Sequence, residues 1–110
     1  MTTIVSLMPT QERFLACYEA IATATRYMLE AARAGDFPAL AALERDCNSW
    51  IQRIERLGDP QAVLDAQGRR RRIELLGRTL RDDAALRDLL EPWLGRVDRC
   101  LRAQPGLEMR

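Results

Sequence analysis

A chain of 110 residues, 47% apolar and 30% charged, has the balance of one globular domain and excludes both a disordered chain and a pair of separate cores. Its 17 basic residues, all Arg, stand against 16 acids for a net charge of +1, which excludes the global field of a general nucleic-acid binder. Aromatics make up only 5%, so the core must be aliphatic, which suits helix packing better than strands.

The expected architecture is all-α: an antiparallel bundle of three long helices in a single domain over 1–110, the third kinked or broken to give a fourth. Residues 1–9 carry Ile4, Val5, Leu7 and Met8 but no basic region, too short a stretch for a signal peptide or a membrane span. The first helix is predicted over 10–34. Phe14, Tyr18, Ile21, Met28 and Ala32 recur at steps of three and four with Thr25 in the gap, and Leu15, Ala22 and Leu29 widen the buried face. Gly35-Asp36 supplies a C-terminal glycine and the N-cap of a second helix over 36–57. Leu40, Leu43, Cys47, Trp50, Ile54 and Leu57 form its heptad seam, which places Trp50 in the core.

Gly58-Asp59-Pro60 repeats the punctuation, and the remaining helix is predicted over 60–103, with its long regular part beginning near Leu64. Ile73, Leu76, Leu80, Leu90, Leu94, Val97 and Leu101 share one register and are expected to face the core, with Asp83 and Arg87 as polar layers. Asp82-Asp83 as a new cap, or Pro92 with its missing N–H, predicts a bend or break between residues 80 and 92. Residues 104–110 are expected to be a flexible tail.

The parts needed for catalysis are missing. There is no His, and a thiol nucleophile at Cys17 or Cys47 has no base available to it. With Cys17, Cys47 and Cys100 widely spaced and outside any CxxC pair, no zinc site, metal or other cofactor is expected, and free thiols fit a cytoplasmic location. The acids Glu74, Asp83 and Asp98 each precede an Arg by four residues (Arg78, Arg87 and Arg102), the favoured orientation for surface ion pairs.

Two features point to partners. Arg69, Arg70, Arg71 and Arg72 spread around the helix, without aromatics to stack on bases; a solvated helix start is expected, with contacts to an acidic protein partner or a nucleic-acid phosphate as the functional alternative. Leu86, Leu89, Trp93 and Cys100 form a second apolar stripe beside the seam. Either it packs in the core, or Leu86, Leu89, Leu90, Trp93, Leu94 and Val97 form a groove wall for an amphipathic helix of a client, anchored by Trp93.

Met28-Leu29-Glu30-Ala31-Ala32-Arg33-Ala34-Gly35-Asp36-Phe37, followed by Ala39-Leu40-Ala41-Ala42-Leu43-Glu44, resembles the first helix–turn–helix of FliT-type flagellar chaperones. The Arg run into Ile73-Glu74-Leu75-Leu76, and the stretch from Leu80 to Leu94 with Asp82-Asp83 and Glu91-Pro92-Trp93-Leu94, are similar to the same family. The resemblance spans about Phe14 to Ala103. It implies a cytoplasmic helical chaperone that binds the filament-cap protein FliD, keeps it from assembling early, and delivers it to the export ATPase apparatus. In some relatives it also implies restraint of the flagellar regulator FlhDC. Longer relatives carry a further C-terminal helix, whereas little follows Leu101 here, which puts the regulator role in question. Other readings from the residues are a chaperone of hook–filament junction proteins, a regulatory adaptor and a structural coiled-coil subunit. Direct nucleic-acid binding is not expected, and an apolar stripe of this kind could also seal a homodimer.

Overall fold

The computed structural model describes residues 9–102; of the last turns, the side chains of 93–98 and 100–102 are outside the description. The N-terminal segment and the tail over 104–110 also lie outside it, as do the side chains of Trp93, Leu94, Val97 and Cys100. Four helices follow in order: α1 (Thr10–Arg33), α2 (Phe37–Leu57), α3 (Pro60–Val63) and α4 (Ala66–Arg102).

The α1–α2 turn closes as the glycine signal predicts. Gly35 takes φ of 73°, Asp36 N–H donates to the Ala31 carbonyl at 2.8 Å, and Gly35 N–H donates to that of Ala32 at 3.1 Å. This is a Schellman closure, and only glycine enters that backbone region without strain. The Asp36 carboxylate then accepts from Ala39 N–H at 3.1 Å and starts α2.

After α2 the chain departs from the expected single start. Asp59 caps the one-turn α3, accepting from Gln61 N–H at 2.9 Å. Leu64 then turns to extended backbone and buries its side chain, with 2% exposure. Asp65 caps the main helix by accepting from Gly68 N–H at 2.8 Å. Burial of one leucine and a second carboxylate cap thus divide what periodicity reads as one helix.

α1 is the central element; α2 and α4 both pack along it and approach each other little. The sharp turn makes α2 antiparallel to α1, with Cys47 Sγ 3.8 Å from Met28 Sδ. α4 runs parallel to α1. Gln11 bonds Asp65 and Tyr18 bonds Arg72, each pair 54 residues apart, and Arg26–Asp82 keeps nearly the same offset. The core joins Phe14, Tyr18 and Ala22 of α1 to Leu64 and Leu75, with Ile54, Leu57, Val63 and Leu76 packed around them.

α4 stays helical from Ala66 to Arg102, through Asp82-Asp83 and through Pro92. The two aspartates do not cap a new helix. Asp82 accepts an ion pair from Arg26 of α1 at 3.5 Å, and Asp83 pairs with Arg87 at 2.9 Å.

The register of α4 corrects the sequence expectation. Its buried line is Gly68, Leu75 and Leu86, with the half-buried Arg72, Thr79 and Asp82 filling the steps of three and four between them. Ile73 and Leu80, expected in the core, are 66% and 67% exposed. The reason is local. Gly68 lets α4 approach α1 closely (a Cβ there would lie 2.7 Å from Gln11 Oε1), and this fixes which face meets α1. Arg72 and Asp82 find partners on α1, and the Thr79 hydroxyl donates to the Leu75 carbonyl of its own helix, so all three are satisfied in the seam that aliphatic counting gave to Ile73 and Leu80.

Candidate functional site

No helix among the described residues is long and apolar enough to cross a membrane, and no group of His, Cys, Asp and Glu there could hold a metal ion. Several surfaces are open to another molecule. Most of them lie on α4.

The first is apolar. Ile73 and Leu80 stand two turns apart on one face of α4, with Gly77 between them in open space and the exposed Ala84 a turn beyond. A row of large aliphatics that alternates with small residues is a shallow trough into which another helix can set its own side chains. Its edge is continuous with the core through Leu76, so a docked segment would extend packing already present.

The residues that sequence reasoning gave to a client groove are divided. Leu86 is 5% exposed and belongs to the α1–α4 seam, so it is not on an open face. Leu90 is half-buried, whereas Leu89 is 43% exposed and open. Trp93, Leu94 and Val97 lie on the backbone that follows. With α1 and α4 in parallel register, the end of α1 at Arg33 is roughly level with residue 88 of α4. The backbone of α4 therefore continues about 20 Å past the end of α1.

The arginine run is not a uniformly solvated start. Arg72 is half-buried: its Nε donates to the Tyr18 hydroxyl at 3.0 Å and its guanidinium lies 5.3 Å from the Tyr18 ring centroid. Arg71 bridges Glu74 at 3.2 Å and Glu19 of α1 at 4.0 Å. Arg69 donates to the Gln61 carbonyl at 3.2 Å. Arg70 is exposed and makes none of these contacts. Two of the four thus fasten α4 to α1, which consecutive placement on a helix makes unavoidable, since some member must face inward. One consequence is that Glu74 pairs with Arg71 and not with Arg78, the partner predicted from i,i+4 spacing. Asp83–Arg87 forms as predicted, and the side chains of the Asp98–Arg102 pair lie outside the described residues.

Trp50 sits half-buried on the α2 seam with the Arg53 guanidinium 4.5 Å over its ring, a structural role consistent with the seam. Cys17 and Cys47 are buried free thiols. Burial raises both pKa values; Arg53 partly offsets this at Cys17, as the Thr25 hydrogen bond does at Cys47. Neither is an activated nucleophile. Asp65, by contrast, is held below the ordinary carboxylate value, first by the Gly68 N–H and then by the Gln11 side chain. Gln11 also accepts from Asp65 N–H at 2.7 Å, so one α1 side chain braces both groups at the start of α4.

Comparison with known proteins decides the family. The model of the family described as flagellar protein FliT matches residues 15–104. This chain belongs to the FliT family. The crystal structure of flagellar protein FliT from Bordetella bronchiseptica is 32% identical, with a TM-score of 0.67 over 80% of this chain and 99% of that one. Comparison with curated proteins finds no match. Membership gives this FliT-family chain the role of a flagellar chaperone and agrees with its all-helical architecture.

Proposed function

We propose that this FliT-family protein is a cytoplasmic chaperone of type III flagellar export. It binds the filament-cap protein FliD, prevents its premature assembly and delivers it to the export ATPase complex. The observation that carries this reading is the family match over residues 15–104. The open trough of Ile73, Gly77, Leu80 and Ala84 supports it, because an unassembled client must shield an apolar helix and this face offers about two turns of matching surface. The client contact is proposed to run along α4 from this trough to the projecting end, with Leu90, Trp93, Leu94 and Val97 as its further members, whereas Leu89 stands on the opposite flank of the helix. Leu86 contributes indirectly, by holding α4 on α1. Binding to FlhDC is not part of the proposal.

The test is affinity capture with this protein as bait from a lysate of the flagellated source cell, followed by mass spectrometry. Recovery of FliD by the wild type, and its loss in Leu80→Asp, is the expected result. Recovery of hook–filament junction proteins, or of a transcriptional regulator without FliD, would replace the client assignment.

A further inference from the structure

A second surface on α4 is polar and lies roughly 120° around the helix from the Ile73–Leu80 trough. Here α1 and α4 enclose a cleft of about 250 Å³ lined by Arg26, Arg78, Arg81 and Asp82. Its carboxylate is already engaged: Asp82 is paired with Arg26, which also reaches Glu30 at 3.6 Å. Arg78 and Arg81 are exposed and have no ion-pair or hydrogen-bond partner among the described residues, because Arg71 takes the Glu74 that Arg78 would otherwise meet. Two uncommitted guanidinium groups, one turn apart on a helix, thus border a cleft large enough for a carboxylate side chain. Leu89 stands exposed farther along the same flank.

We propose that this cleft is a docking site for an acidic segment of a partner protein, with carboxylates one helical turn apart and an apolar residue seated on Leu89. Guanidinium forks match carboxylates in pairs, and the i,i+3 placement of Arg78 and Arg81 matches i,i+3 or i,i+4 acids on a partner helix. A nucleic-acid backbone fits less well. Glu19, Glu30, Glu74 and Asp82 interrupt the basic groups along this flank, so no continuous stripe follows a phosphate chain. Since the cleft and the trough occupy different sides of α4, an acidic partner and an apolar client can be held at the same time.

The test uses the full chain and a short fluorescein-labelled helical peptide with paired glutamates and one leucine, beside its glutamine twin, read by fluorescence anisotropy at low and high salt. The wild type is expected to bind the acidic peptide about tenfold more tightly than the twin, with the preference falling as salt rises. Arg78→Gln with Arg81→Gln should abolish the preference while leaving the circular dichroism spectrum unchanged, and Arg70→Gln should retain it. Equal binding of both peptides by the wild type, or a preference that survives the double substitution, overturns the proposal. So does displacement of the acidic peptide by a short DNA duplex at stoichiometric concentration, which would mark the cleft as a phosphate site. FliD capture by the double variant reads the client assignment separately.

Discussion

Replacing Leu75 and Leu80 by alanine, one at a time, tests the packing of α4 directly. Leu75 has no exposed surface and touches the cluster of Phe14, Tyr18, Ala22 and Leu64, whereas Leu80 is 67% exposed. Truncating a fully buried leucine removes its transfer free energy and leaves a cavity, together costing about 3 kcal/mol. Truncating an exposed one costs within about 0.5 kcal/mol. With a urea m-value of about 1.5 kcal/mol/M for a domain of this size, Leu75→Ala should lower the unfolding midpoint by about 2 M. Leu80→Ala should lower it by less than about 0.4 M. The assay is urea unfolding followed by circular dichroism at 222 nm, with the slope checked for constancy. A shift for Leu80→Ala as large as that for Leu75→Ala would refute the register and return Ile73 and Leu80 to the core.

Other expectations concern the helix starts and the buried groups. Since the folded-state pKa of Asp65 is depressed, its contribution to stability is present above the ordinary carboxylate pKa and is lost as pH falls through the folded value. Asp65→Asn should therefore flatten the acid limb of a stability–pH profile measured by thermal melting. In a Cys100→Ser background, Cys17 and Cys47 should react with a thiol reagent at mildly alkaline pH only as fast as the protein opens, and a burst of labelling in native buffer would show that they are accessible. Tyr18→Phe removes the acceptor for Arg72 Nε while keeping the ring beneath the guanidinium, and should cost about 1 to 2 kcal/mol in urea unfolding. A neutral outcome would mean that water replaces the hydroxyl without loss.

The sequence made the α1–α2 hairpin legible because each signal there has one physical meaning. Gly35 adopts the positive φ that a helix end requires, Asp36 caps, and the seam from Leu40 to Leu57 contains the less exposed side of α2. α4 was less legible because aliphatic spacing gives two overlapping registers. The choice between them fell to Gly68, Arg72, Thr79 and Asp82, none of which a count of hydrophobic positions weighs. Gly68 matters through close approach, and Arg72 and Asp82 through partners on α1 that only the folded chain brings within reach. For the same reason the surface at Ile73 and Leu80, which periodicity assigns to the core, is open, and Leu86, which the sequence leaves between core and groove wall, lies in the seam. Leu64 illustrates a third limit: its extended backbone follows from the pocket it fills, and Asp65 was the one local sign of a second cap.

If the exposed face of α4 holds the filament-cap protein as proposed, isothermal titration of purified FliD from the same organism into the wild type and the Leu80→Asp variant reads that contact itself. Saturable binding to the wild type is expected, with a loss of at least tenfold in affinity for the variant at unchanged helicity. Undiminished binding by Leu80→Asp would place the client elsewhere on the protein, and absence of heat with the wild type would contradict the client assignment itself.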